Sequence, residues 1–397
     1  MKTVYADNNA TTAVAPEVVA AMMPYFEGEY FNPSSMYDQS RVAAEAILRA
    51  RSSVARLLNA GDSRQILFTS CATESNNAAI MGVAKANPQR RHIITTSVEH
   101  PAVLEVCKEL ARSGYEVTFL GVDTNGELDV REFVRALRPD TLMVTIMYAN
   151  NETGVIFPVE ELARLTKETD SSIVFHTDAT QCLGKLPIDL KGAFRHVDML
   201  SLSGHKMHAP KGVGALFIRR GTPCRPFIVG GHQEDGRRAG TENVPYIVGL
   251  GEASDLARAH QKDQEGVRRL RDRLQATLQE KIPYLEINGG KAPRLPNTLN
   301  LAVHYIEGEG ILYQLSSHGI CASSGSACTS GSLEPSHVLK AMHVPFTAMH
   351  GSVRFSLSRY STDEDVDRIV GVFPEIVSNL RRLSPYWDSA NDRPRGD

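Results

Sequence analysis

The sequence predicts an α/β protein, with a large domain built on a mainly parallel sheet and a smaller domain of mixed α+β character. Strand-length apolar runs alternate with helix-length amphipathic segments between Gln65 and Leu202, the signature of a parallel sheet covered by helices on both faces. At 397 residues the chain exceeds one ordinary core, so two domains are expected. Beyond Leu285 strands and helices mix without regular alternation, which suggests the second domain.

The opening segment through Asp7-Asn8-Asn9-Ala10-Thr11-Thr12 is polar and turn-like, and Pro16 starts an amphipathic helix to about Phe26. After the loop Asn32-Pro33-Ser34-Ser35, helical periodicity runs from Tyr37 to Leu58, with Val42, Ala46, Ala50 and Val54 four apart. A strand from Gln65 to Thr69, a turn through Thr73 and a helix from about Glu74 to Lys85 come next. The alternation continues with strands at Arg91–Val98, Glu116–Gly121, Thr141–Met147, Ser172–Thr177 and Val197–Leu202. Helices at Pro101–Ser113, Asp129–Leu137 and Val159–Thr169 lie between them. The strand Gly214–Arg219 leads to a glycine-rich charged loop, Gly230 to Asn243, that is too polar for core and long enough to reach another subunit. A helix broken once or twice, Val248 to Lys281, links to the second domain. That domain has strands near Leu285–Asn288, Thr298–Val303, Ile320–Ser323 and Ser352–Leu357, and helices from Gly310, His337 and Asp363. From about Ser389 the composition reads as a disordered tail.

Apolar content of 42% and charged content of 22% are those of a soluble globular protein. The net charge of −3 comes with no basic block, so no nucleic-acid or membrane-surface partner is expected. No apolar run approaches a membrane span and the N-terminus has no apolar signal core, which makes a cytoplasmic enzyme the expectation. The six cysteines include no CxxC pair, arguing against a zinc site or a disulfide framework.

In α/β sheets ligands sit at the carboxyl ends of strands. Glu99-His100, Asn150-Asn151, Asp178 and the turn Ser203-Gly204-His205-Lys206 all fall just past strand ends, so they can converge although far apart in sequence. Lys206 on display in a glycine-bounded turn can form a Schiff base with an aldehyde cofactor, and the neighbouring Ser203 and His205 can hydrogen-bond a phosphate. Pyridoxal 5′-phosphate (PLP) needs both, although a solvated surface turn has the same composition. Asp178 can pair with a protonated pyridine nitrogen or cap a helix. The turn Ser70-Cys71-Ala72-Thr73 opens a helix whose N-terminus favours phosphate, as any strand–turn–helix unit does. His100 can stack on a ring and relay protons, or serve as a cap or a satisfied buried histidine. Asn151 and Gln181 can hold a ring hydroxyl or satisfy loop backbone. Arg354, in an apolar strand, needs an anion, which a substrate carboxylate or a structural salt bridge would supply.

Cys328 lies in Ser323-Ser324-Gly325-Ser326-Ala327-Cys328-Thr329-Ser330-Gly331-Ser332, a composition that predicts a flexible, exposed loop. Free cysteines are usually buried, so an exposed thiol here points to thiolate chemistry. Cys321 reads as core and Arg359 as structural.

The segments YADNNATT, NPSS, FTSCATESNN, SVEHPAV, NNETG, HTDATQ, SGHKMHAPKGVGAL, GGHQEDGRRAGTEN, SSGSACTSGSLEPSHVL and VRFSLSRY together resemble the NifS/IscS class of PLP-dependent cysteine desulfurases, in the class's order and over nearly the whole chain. The resemblance implies the type I aminotransferase fold (class V) and a homodimer. Residues 15–258 would form the large PLP-binding domain, and residues 1–14 and 259–397 the small one. It implies Lys206 as the Schiff-base lysine, Asp178 beneath the pyridine nitrogen and His100 over the ring. Ala72, Thr73, Ser203 and His205 would hold the phosphate with Thr241 of the other subunit, and Asn151 and Gln181 would lie near the ring hydroxyl. Arg354 would hold the carboxylate of L-cysteine, and Cys328 would be the nucleophile that carries the persulfide.

The long serine-glycine loop resembles the branch that hands sulfur to flexible scaffold proteins. GGHQEDGRRAGTEN and the ending Leu383-Ser384-Pro385-Tyr386-Trp387 are most similar to the nitrogen-fixation branch. A NifU-type Fe–S scaffold is the implied partner, with an IscU-type housekeeping scaffold as the alternative. No intrinsic metal is expected beyond transient ligation of a nascent Fe–S cluster by Cys328. Met36-Tyr37 after NPSS departs from the histidine expected nearby, at a position with no inferred catalytic role. Two other readings remain open from the sequence: a PLP lyase acting on selenocysteine or cysteine sulfinate, and a non-catalytic sulfur-carrier scaffold.

Overall fold

The computed structural model describes residues 3–324, 335–391 and 393–395. Its centre is a seven-stranded sheet in the order Ile66–Thr69, Gly214–Ile218, Met199–Ser203, Val174–Asp178, Thr141–Thr145, His92–Thr96, Glu116–Leu120. All neighbouring pairs among the last five strands are parallel, whereas Gly214–Ile218 runs antiparallel to both its neighbours. The connection 204–213 is too short for the crossover that a parallel partner requires, so this strand turns back on Met199–Ser203. The interior strands are buried on both faces, which is why they read as continuous apolar runs.

Helices cover each face. On one, Pro16–Met22, Ser40–Leu57 and Val244–Ala259 bury Val18, Ile47, Val54 and Leu250 against the sheet. Helix Ser40–Leu57 comes so close to Val244–Ala259 that a Cβ on Gly251 would lie 2.6 Å from the Ala50 Cα. On the other, Ala72–Ala86 and Pro101–Arg112 pack Ile80, Val83, Val103 and Leu110 against Leu67, Met143 and Leu216. A separate cluster gathers Val4 and Ala6 with Leu274, Leu301, Phe355 and Phe373, around an antiparallel sheet ordered Ser352–Ser356, Thr298–Val303, Leu285–Ile287. Helices Gln264–Lys281 and Asp363–Leu383 supply its cover, and Val4–Tyr5 pairs in parallel with Ile320–Cys321.

Three local expectations change. The first helix stops at Met22 and a short turn, Pro24–Glu27, follows, because Pro24 has no N–H to continue the ladder. The helix expected from Val248 begins at Val244, capped by Asn243, and the segment breaks at the 3₁₀ turn Gln261–Asp263. Among the described residues past Ser389, Arg393–Pro394 does not trail away but pairs antiparallel with Trp387–Asp388, and Trp387 is buried against Tyr284 and Tyr305.

Candidate active site

The carboxyl ends of the parallel strands open onto a cavity of about 330 Å³. Its lining includes Ala72, Thr73, His100, Asn151, Asp178, Gln181, Ser203, His205, Lys206 and Arg354. Two anticipated residues are not in it. Thr241 is exposed elsewhere on the chain, and Cys328 lies outside the described residues.

Lys206 ends the 3₁₀ turn Gly204–Lys206 that leaves the strand Met199–Ser203. The turn is tight because Gly204 has no side chain: a Cβ there would come within 2.9 Å of the Ala209 Cβ and 3.1 Å of Val213. Lys206 Nζ donates to the carbonyl oxygens of Asn9 at 2.8 Å and Ala10 at 2.6 Å. Asp178, at the end of Val174–Asp178, is 7% exposed; it accepts from Asn76 Nδ2 at 2.7 Å and from the Thr180 N–H at 2.9 Å. His100 is the N-cap of Pro101–Arg112, its Nδ1 accepting from the Ala102 N–H at 3.1 Å. Burial, aided by Lys206 and His337 and opposed by Asp178, holds its pKa below the usual imidazole value. The neutral ring therefore carries its proton on Nε2, so capping and service to the cavity are compatible.

Arg354 is 3% exposed in the strand Ser352–Ser356; Nη1 donates to the Asn151 carbonyl at 2.9 Å and Nη2 to Asp7 Oδ1 at 2.8 Å. Its Nε is buried with no partner among the described residues. Gln181 Nε2 donates to the Asn9 carbonyl at 3.0 Å. His205 Nδ1 lies 3.1 Å from Thr11 Oγ1, and burial with Lys206 and Lys211 nearby pushes its pKa down to about 4.

Sequence reasoning missed Asn9, Asp7 and Asn76. Asn9 is 1% exposed and is held by Asn151, Asn297, Thr298 and Ser356, while its carbonyl receives both Lys206 and Gln181. The signals were a polar Asp-Asn-Asn run and the place of these residues in the segments YADNNATT and FTSCATESNN, neither of which assigns them a role.

The set fits PLP on its own chemistry. Ser203 Oγ is buried without a partner among the described residues, beside a lining that includes the first residues of helix Ala72–Ala86, where N–H groups favour phosphate. A displayed amine, a buried carboxylate and an amide donor complete the requirements of a pyridine aldehyde. Among the described residues no cluster of three or more His, Cys, Asp or Glu side chains could hold a metal ion, and no helix is long and apolar enough to cross a membrane.

This fold and donor set define a class of PLP enzyme, and comparison with known proteins specifies it. Residues 4–369 match the Aminotransferase class-V family. The chain is 56% identical to a cysteine desulfurase of Trichormus azollae over 97% of its length and 96% of that protein's. It is 54% identical to the cysteine desulfurase NifS of Azotobacter vinelandii, over 98% of its length and 96% of that protein's. A solved NifS-like protein superposes with a TM-score of 0.89 at 38% identity, covering 96% of this chain and all of that one. The chain belongs to the class-V aminotransferase family and, within it, to the PLP-dependent cysteine desulfurases.

Proposed function

We propose that this cysteine desulfurase works through Lys206, Asp178, His100 and Arg354 at the strand ends and through Cys328 as sulfur acceptor. The roles are supported by one observation: the first four, on separate elements, line a single cavity. Bound PLP supplies an aldehyde for the substrate amine and a ring that withdraws electrons from the substrate carbon. Ala72, Thr73, Ser203 and His205 would hold its phosphate, joined by Thr241 of the other subunit in a homodimer, and Asn151 and Gln181 would serve its ring hydroxyl. Arg354 fixes the carboxylate of L-cysteine and thereby the position of its α-carbon and sulfur. Lys206 Nζ would hold PLP through its aldehyde and, when free of it, would take the α-proton and return it. Asp178 would pair with the pyridine nitrogen of bound PLP and keep it positive, and His100 would serve as a neutral proton carrier in the cavity. The Cys328 thiolate attacks the substrate sulfur, so that an S–S bond forms as the carbon–sulfur bond breaks; the bonding pair stays with the β-carbon, which takes up the proton that the substrate thiol gives up, leaving alanine and a protein persulfide.

The persulfide passes to a cytoplasmic Fe–S scaffold, which we assign to the NifU type serving nitrogenase metallocluster assembly; an IscU-type scaffold is the alternative. The 54% identity to NifS supports that choice. Residues 15–258 act as the PLP-binding domain, and residues 1–14 with 259–397 as the domain that carries Arg354 and Cys328.

A single-turnover reaction with L-cysteine tests the reading by following alanine and protein-bound persulfide together. Wild type should give equal amounts of each, and Cys328→Ala neither, while retaining PLP. Alanine formed without the thiol would move the activity to direct elimination. Co-purification with a NifU-type scaffold in preference to an IscU-type one tests the pathway.

A further inference from the structure

Lys185 has no place in the proposed reaction, yet it is hydrogen-bonded to a residue that lines the cavity. The segment after Asp178 turns at Gly184, whose φ of +70° suits glycine and whose absent Cβ would sit 3.0 Å from the Ala257 Cβ. This turn returns Lys185 beneath Gln181, where Nζ donates to Gln181 Oε1 at 3.2 Å. Lys185 does not line the cofactor cavity; it faces a separate small void of about 40 Å³ shared with Lys206, His208, His260 and Arg359.

Gln181 thus stands between two fixed partners of opposite kind. An amine supplies an N–H to its oxygen in either protonation state, and the Asn9 carbonyl can only accept, from Nε2 at 3.0 Å. One amide hydrogen remains, on an amide that lines the cavity. The same Asn9 carbonyl accepts from Lys206 Nζ at 2.8 Å, so Lys185, Gln181, Asn9 and Lys206 form a continuous hydrogen-bonded series.

We infer that Lys185 is a positioning residue that fixes the orientation of the Gln181 amide, so that the cavity meets an N–H donor and the ring oxygen of PLP is held in its deprotonated form. This rests on the proposed placement of Gln181 near that oxygen. A residue there merely to fill space would be apolar, because a half-buried ammonium is costly. Burial, with Lys206 and Arg354 nearby and Cys182 opposing, pushes its pKa down to about 7.

The test reads the pH titration of the visible absorbance of the PLP holoenzyme, which reports the protonation of the Lys206–cofactor linkage without turnover. Lys185→Met, close in shape, should raise that pKa by about one unit, because an N–H donated to an anionic oxygen favours the deprotonated state. Gln181→Met should raise it similarly, and the double variant no further than Gln181→Met alone, because Lys185 acts through the amide. Lys185→Arg, which keeps a donor, should stay near wild type. Additive shifts in the double variant, or a Lys185→Arg shift as large as that of Lys185→Met, would overturn the inference. A shift in Gln181→Met with none in Lys185→Met sinks Lys185 alone, whereas no shift in Gln181→Met sinks the placement of Gln181 and Lys185 with it.

Discussion

Asp7 Oδ1 lies 2.8 Å from Arg354 Nη2, which ties the N-terminal segment to the strand that bears the arginine. Both side chains are largely withdrawn from water, at 19% and 4% exposure, so the pair is costly to break. Asp7→Asn keeps an acceptor but removes the counter-charge. It should destabilise the protein by roughly 3 kcal/mol, the usual cost of leaving a buried charge unpaired. A carboxylate ligand would replace the missing charge, so L-alanine should raise the melting temperature more in Asp7→Asn than in wild type, and not at all in Arg354→Gln. Equal protection in all three proteins would refute Arg354 as the carboxylate site.

Ser203 Oγ offers a different separation of folding from binding. A buried hydroxyl with no described protein partner contributes little to the fold, so Ser203→Ala should leave the apo-protein melt within about 0.5 kcal/mol of wild type. A phosphate oxygen would lose a charge-assisted hydrogen bond, weakening PLP binding roughly tenfold. Fluorescence titration of apo-enzyme with PLP measures this. Unchanged affinity would take Ser203 out of the phosphate site.

Asp178 should matter for rate more than for occupancy. Asp178→Asn can still accept from the Thr180 N–H at Oδ1, but where Asp178 Oδ2 accepts from Asn76 Nδ2 an amide would bring two donors together, so Asn76 must shift. If Asp178 pairs with the pyridine nitrogen as proposed, loss of its negative charge should lower kcat by roughly 10²-fold or more, the scale of removing a preorganised electrostatic contact. PLP should remain bound. Pre-steady-state measurement of α-proton exchange in deuterium oxide isolates the step, and exchange at the wild-type rate would exclude the role.

The residues at strand ends were legible because each follows an apolar run, and the open-sheet rule sends such residues to one edge; Lys206, Asp178 and His100 are of this kind. Asn9 was not. Its contribution is a backbone carbonyl that receives Lys206 and Gln181, and its own position depends on Asn297, Thr298 and Ser356, far along the chain. No local pattern encodes such a contact. His100 could not be resolved between cap and site residue because it caps a helix and lines the cavity at once. Polarity after Ser389 hides the order of the described tail residues because their anchor lies before them: Trp387 is buried, with Arg381 4.5 Å over its ring, and Arg395 Nε reaches the Trp387 carbonyl at 3.0 Å.

Glu99, adjacent to His100, gives the clearest dependence on pH. Its carboxyl is 0% exposed and receives Thr96 Oγ1 at 2.8 Å and the Met147 N–H at 2.9 Å. Burial outweighs these donors and pushes its pKa up to about 8. In the unfolded chain the same group ionises near 4.5. Between these values the folded state binds the extra proton, so Glu99 favours folding below pH 4.5, and this contribution is lost as pH rises toward 8. The amide introduced by Glu99→Gln cannot ionise and reproduces the shape of the protonated acid, with its oxygen still able to accept from Thr96 and Met147. The stability of Glu99→Gln relative to wild type should therefore rise by about 1.4 kcal/mol per pH unit across that window and level off above it. Denaturant unfolding of both apo-proteins at pH 5, 6, 7, 8 and 9 measures the difference. A difference independent of pH would show that Glu99 is charged in the folded protein and that its three hydrogen bonds outweigh burial.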